Sequence, residues 1–200
     1  MLSNIITEYK EIIMLGKVFK KGGINCIFGE SGLGKTVSTI KALNEDGITP
    51  ILLDFDGNDS QEANDCKYTH VDGVKFVAKY MIKEATIPEN VVIVIDTWTL
   101  FEPYYNTHKD LLDDLHKENT LIIVAHNKDI ATKKDIPVVP EELINHWDAK
   151  LYLSFSNGTK GKAGTSTKPE VKAIPSGSNL TVMKLRSYKG PRVIHNWMRD

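Results

Sequence analysis

Gly29-Glu30-Ser31-Gly32-Leu33-Gly34-Lys35-Thr36 is the stretch of sequence that decides the fold. It matches the pattern G-x-x-x-x-G-K-[S/T] and lies between a predicted buried strand at 24–28 and a predicted helix at 35–44. The glycines let the backbone curl so that successive N–H groups point inward, next to the positive end of the helix that follows. This arrangement predicts a binding site for a polyphosphate. Lys35 would lie against the β and γ phosphates, and the Thr36 hydroxyl would bind Mg²⁺.

The rest of the chain alternates short apolar runs with longer segments of helical spacing, which is typical of a parallel sheet covered by helices. The predicted strands are 24–28, 51–55, 91–95 and 121–125, and the predicted helices are 35–44, 74–85 and 109–118. The nearly continuous Val, Ile and Leu content of these strands predicts burial on both faces. After His146, strands at 150–155, 180–186 and 192–197 follow without helices between them, so we expect an antiparallel meander at one sheet edge. The predicted fold class is therefore α/β.

Length and composition predict one domain over residues 1–200, and a stretch rich in Gly, Ser, Thr, Lys and Pro predicts a long flexible loop at about 157–178. No stretch reaches the roughly 20 apolar residues of a membrane span, so we expect no membrane partner. Two cysteines, Cys26 and Cys66, are too few for a disulfide framework and favour a reducing compartment. The expected location is the cytoplasm.

The charge balance limits the partners that the chain can attract. Twenty-five basic residues face 26 acidic ones, which gives a net charge of −1. No global positive field is available to capture nucleic acid, so any binding of a polyanion must come from a local patch.

Polar side chains follow three of the predicted strands. Asp96 ends the strand at 91–95, and we assign it as the second magnesium ligand beside Thr36. Asp54 and Asp56 alternate onto the same side at the end of 51–55, and Asp56, at the exit, is the candidate that orients or deprotonates the attacking water. The alternative for Asp56 is a capping or solvated acid. His126 follows 121–125 at the sheet edge where α/β proteins bind ligands, and it is either a γ-phosphate sensor or a structural histidine.

Together these residues resemble the RecA-like P-loop ATPases, in particular the branch with the DnaB-type helicases, RadA repair ATPases, KaiC and small phage or plasmid RecA-fold proteins. The resemblance covers about 17–198. It extends to Lys184-Leu185-Arg186 and Gly190-Pro191 near the C-terminus, which look like the K-x-R and Gly-Pro of that family. The resemblance implies ATP and Mg²⁺ as cofactors and assembly into a homo-oligomeric ring or filament. It also implies that Lys184 and Arg186 reach the γ-phosphate bound by the neighbouring subunit, with Lys189 as a competitor for this role. The alternative is that this run is an ordinary basic edge strand.

The same resemblance directs attention to two segments for binding DNA, 101–108 and 127–142, which we expect to be loops. In the first, Tyr104 and Tyr105 either stack on bases or pack in the core. In the second, Lys128, Lys133 and Lys134 either contact phosphates or are solvated surface lysines.

The leading hypothesis is a Mg²⁺-dependent ATPase, a motor or recombination enzyme, that acts on single-stranded DNA in replication, recombination or repair. Asp56 stands where that family has a glutamate, so its carboxylate is one methylene shorter. A nucleotide-gated scaffold that binds without hydrolysis is therefore one alternative. A P-loop kinase for a small molecule is another, although the arginines are few and late in the chain, unlike the arginine-rich lid of such kinases.

Overall fold

The computed structural model describes residues 14–57, 65–128, 136–155, 178–185, 192–194 and 197. Most of the expected loop at 157–178 lies outside these residues, except for Ser178, which begins a strand. Arg186, Lys189, Lys133 and Lys134 also lie outside them.

An eight-stranded sheet forms the centre of the described structure. Its strands are β3 (Ile24–Gly29), β4 (Ile51–Asp54), β5 (Thr69–Asp72), β6 (Val92–Asp96), β7 (Thr120–His126), β8 (Ala149–Phe155), β9 (Ser178–Leu185) and β10 (Val193–Ile194). They lie in the order β10-β9-β8-β3-β7-β6-β4-β5. All neighbours from β8 to β5 pair in parallel, whereas β8, β9 and β10 form an antiparallel meander. A separate antiparallel pair, β1 (Met14–Leu15) and β2 (Phe19–Lys20), precedes the sheet. The α/β class with a C-terminal antiparallel edge is confirmed.

Helices cover both faces of the sheet. They are α1 (Lys35–Glu45), α2 (Gly73–Met81), α3 (Trp98–Thr107), α4 (Asp110–His116) and the short α5 (Glu141–Ile144). Successive residues of a strand alternate between two cores: Ile27 packs with Ile40 and Leu43 of α1, while Phe28 belongs to the cluster that α2, α3 and α4 complete. Burial on both faces explains the nearly continuous apolar runs in the sequence.

The structure differs from the sequence prediction at the β5 edge and at α3. β5 was not predicted because Thr69-His70-Val71-Asp72 lacks the apolar content of the inner strands. A strand at the sheet edge does not require that apolar content. The predicted loop at 101–108 is wrong, because most of it is the end of α3, a helix that contains Pro103. The helix predicted at 74–85 stops at Met81, and Lys83 adopts a left-handed φ of 59°.

Within the described parts of the chain, no helix is both long enough and apolar enough to cross a bilayer.

Candidate functional site

The loop between β3 and α1 has the backbone geometry that its glycines allow. Gly32 and Gly34 have φ values of 75° and 69°, in the left-handed region that favours glycine. Gly29 lies so close to β8 that an added Cβ would overlap the backbone oxygen of Leu153. The N-cap residue of helix α1 is Gly34, which has no side chain to cap the first turn. Its first N–H groups are therefore the kind of donors that bind an anion at a helix N-terminus.

Lys35 lies over this loop with its ammonium group almost withdrawn from solvent. The residue is 5% exposed, and its Nζ donates to the carbonyl oxygens of Gly29 at 3.3 Å and Glu30 at 2.8 Å. Burial lowers the pKa of Lys35 to about 8, and the carboxylates of Asp96 and Glu30 oppose this shift. A buried cation is therefore held at the loop, where an anionic ligand would raise its pKa again.

Thr36 and Asp96 meet at the side of the loop. The Thr36 hydroxyl donates to Oδ2 of Asp96 at 2.6 Å, although the two residues are 60 positions apart. Burial raises the pKa of the Asp96 carboxyl, and the nearby Asp54 and Asp56 act in the same direction, whereas Thr36 and Lys35 oppose it. A hydroxyl and a carboxylate are both hard oxygen donors, so this pair fits Mg²⁺.

The two acids at the end of β4, Asp54 and Asp56, differ in their surroundings. Asp54 is buried, and its Oδ1 accepts the backbone N–H groups of Asp56 at 2.9 Å and Gly57 at 3.0 Å. Asp56 is exposed. The end of β4 is also bonded to β6, because the N–H of Phe55 donates to the carbonyl of Asp96 at 2.8 Å. Asp54 therefore shapes the turn that presents Asp56 beside the Asp96 strand.

A histidine that is not among the predicted site residues lies beside Asp54. Nε2 of His70, on the edge strand β5, lies 3.1 Å from Oδ2 of Asp54. Because β5 was not predicted, no sequence signal placed His70 next to Asp54.

His126 ends β7 and lies in register with Gly29, the first residue of the glycine-rich loop. Its ring is half-buried. Burial and the Lys35 ammonium lower the pKa of His126, while Asp56 opposes them. The structure thus brings His126 to the same end of the sheet as Lys35 and Asp56.

The two tyrosines proposed for base stacking lie on α3 and contact core aromatics. The ring of Tyr104 packs 5.7 Å from Phe55, and the ring of Tyr105 packs 5.6 Å from Trp98. Nζ of Lys109 also lies 4.1 Å over the Tyr105 ring. These contacts favour the alternative interpretation, in which both tyrosines pack against the protein.

The basic candidates are only partly described. Lys128 is exposed just after β7, where we expected a phosphate-binding patch. Lys184 lies on β9, and its Nζ donates to the carbonyl oxygen of Asn145 at 2.6 Å within the same chain. Lys133, Lys134, Arg186 and Lys189 lie outside the described residues, so their roles stay predictions.

A cavity of about 560 Å³ lies elsewhere, beneath the β5 edge. Apolar side chains, including Leu53, Phe76 and Leu115, form most of its lining. None of its lining residues is a predicted site residue, so the cavity is separate from the candidate site.

Solved structures with a similar fold include the RadB recombinase, at a TM-score of 0.56 and 16% identity over 88% of this chain and 87% of that chain. A KaiC-like protein from Pyrococcus horikoshii OT3 has a TM-score of 0.55 and 15% identity over 88% and 86% of the two chains. The flagellar accessory protein FlaH from Methanocaldococcus jannaschii has a TM-score of 0.50 and 13% identity over 89% and 85%.

These similarities, together with the loop and strand order described above, define the fold as a RecA-like P-loop fold. No protein-family model matches the chain, and no curated protein matches it in sequence.

Proposed function

We propose that this protein is a Mg²⁺-dependent ATPase. The observation that carries the proposal is the 2.6 Å contact between Thr36 and Asp96, beside the buried ammonium of Lys35. A phosphate-binding cation and two magnesium-type oxygen ligands thus converge from α1 and β6. ATP is proposed as the nucleotide because the RecA-like resemblance favours it.

Each residue of the site has a chemical task in this proposal. The N–H groups at the start of α1 and the Lys35 ammonium bind the phosphates. Thr36 and Asp96 hold Mg²⁺, which when bound neutralises charge on the phosphate oxygens. Asp56 orients or deprotonates the attacking water, and His126 contacts the γ-phosphate.

The Lys35 pKa leads to a pH-dependence prediction. Only the protonated ammonium attracts phosphate, and a bound triphosphate raises the pKa of Lys35 above its nucleotide-free value of about 8. Affinity for MgATP should therefore be constant below about pH 7 and should fall as the pH rises through 8, by at most about tenfold per pH unit. Calorimetric titrations at pH 7, 8 and 9 measure this.

The control for this test is Lys35→Met, which should bind weakly and lack the change near pH 8. Wild-type affinity that stays constant or rises from pH 7 to 9 would contradict the assignment of Lys35.

We also propose that hydrolysis is coupled to single-stranded DNA in a homo-oligomer. The similarity to a protein named as a recombinase and the exposed position of Lys128 support this function. In such an assembly Lys184, with Arg186 or Lys189, would act on the neighbouring subunit's nucleotide. A cation added in this way typically increases the rate by about 10³ to 10⁵.

Turnover measured with and without single-stranded DNA, together with the mass in solution, tests this coupling. We expect DNA to stimulate turnover of an oligomer, and Lys128→Ala to weaken the stimulation. Lys117→Ala is the matched control, because Lys117 is also an exposed lysine but lies before β7, at the opposite end of that strand. A monomer whose turnover is indifferent to DNA at every concentration would refute the coupling.

Product analysis separates hydrolysis from the two alternatives. Free phosphate is expected from the ATPase, whereas a phosphorylated small molecule would identify a kinase. Binding of MgATP without any product would identify a nucleotide-gated scaffold, an outcome that the shorter side chain of Asp56 makes worth testing.

A further inference from the structure

A chain of hydrogen bonds connects the edge strand β5 to the turn that carries Asp56. One carboxylate oxygen of Asp54, Oδ1, accepts two backbone N–H groups of that turn, from Asp56 and Gly57. The other oxygen, Oδ2, lies 3.1 Å from Nε2 of His70. Asp54 therefore connects the imidazole of His70, on β5, to the backbone of the turn that follows β4.

The burial of these groups shows how the orientation of Asp54 is determined. Its side chain is 6% exposed, whereas the side chain of His70 is 39% exposed at the sheet edge. A buried carboxylate requires hydrogen-bond partners, and a charge-assisted bond from an imidazole N–H is among the stronger ones available. His70 thus holds one oxygen of Asp54, which directs the other oxygen toward the turn.

The end of β4 is held on both sides. On one side, the N–H of Phe55 donates to the carbonyl of Asp96, the predicted magnesium ligand. On the other side, β4 pairs with β5, and His70 reaches Asp54 from that strand. Because Asp56 is exposed, its position depends on the backbone of this turn more than on packing around its own side chain.

We propose that His70 is a positioning residue for ATP hydrolysis, acting through Asp54 to fix the turn that presents Asp56 to the attacking water. This inference rests on the proposed function, in which Asp56 performs that step. In the sheet order, β4 separates β5 from β6, the strand that carries Asp96, and β4, β6 and β7 separate β5 from β3, which leads into the glycine-rich loop. The rate of hydrolysis should therefore depend on His70 while nucleotide affinity does not.

Steady-state kinetics on the full chain test the proposal. His70→Ala should lower kcat by about tenfold, because small displacements of a reacting group have effects of this order or larger. The Kd for MgATP should stay within about twofold of wild type, because the phosphate-binding groups are unchanged. His70→Gln, whose amide can donate to the same oxygen of Asp54, should recover most of the rate. His146→Ala, at another exposed histidine, is the matched control and should leave both quantities unchanged.

His70→Phe provides a second test, because it keeps a ring at the sheet edge and removes only the donor. It should show the same loss of kcat as His70→Ala, with a thermal transition close to that of wild type.

A double-mutant cycle separates positioning from a general structural effect. If His70 acts through Asp56, adding His70→Ala to Asp56→Asn should lower kcat no further. Full multiplication of the two losses, or wild-type kcat in both His70→Ala and His70→Phe, would overturn the proposal. A wild-type protein that binds MgATP but hydrolyses none would instead overturn the proposed ATPase function, together with the role that rests on it.

Discussion

Lys35→Ala is expected to remove nearly all ATP turnover and to weaken MgATP binding by about 10- to 100-fold, the range for losing one charged hydrogen bond. The reason is the position of the ammonium, which is buried at the loop and bonded to two of its carbonyl oxygens. The loss in kcat should be larger, about 10²- to 10³-fold, because negative charge shifts onto the oxygens of the leaving phosphate during transfer and the ammonium stabilises it there.

Lys41→Ala is the matched control for this experiment, since Lys41 lies further along α1 and outside the loop. Both variants should be compared by calorimetry and by phosphate release. Equal turnover in Lys35→Ala and wild type would remove the central residue from the proposed site.

Asp56→Asn is expected to separate binding from chemistry. The amide has nearly the same shape but cannot accept a proton from water, so kcat should fall by about 10²- to 10⁴-fold, the usual contribution of a general base. Affinity for MgATP should be retained or slightly increased, because a negative charge near the phosphates is removed. Measurements of kcat and Kd on the same preparation test this prediction.

Asp65→Asn is a suitable control, as it removes an exposed carboxylate that no bond described here connects to the site. An Asp56→Asn variant with wild-type kcat would show that another group activates the water, or that the rate is limited by a step other than hydrolysis.

The central parts of the fold could be predicted from sequence because they are buried on both faces. The strands that carry the glycine-rich loop, Asp96 and His126 are nearly continuous apolar runs, and a parallel sheet brings their carboxyl ends together. This arrangement brings Thr36 and Asp96 into contact. Their assignment as magnesium ligands stays a prediction.

The edges and connections were less predictable. Among the strands that the structure describes, β5 is at the sheet edge and pairs with β4 alone, so its sequence carries little apolar signal. The contact of His70 with Asp54 depends on that strand. Helix α3 contains Pro103, and its aromatic residues pack against the core. The sequence alone was also compatible with tyrosines that stack on DNA bases. In both places the structure depends on tertiary contacts that no local pattern encodes.

Calorimetric titration of the pure, folded wild-type chain with MgATP tests the central claim most directly. The proposed site predicts saturable heat with one nucleotide bound per chain, and a binding isotherm shifted to much weaker affinity in Lys35→Ala. The absence of any heat with Mg²⁺ and every common nucleoside triphosphate, from material with a cooperative thermal transition, would contradict it.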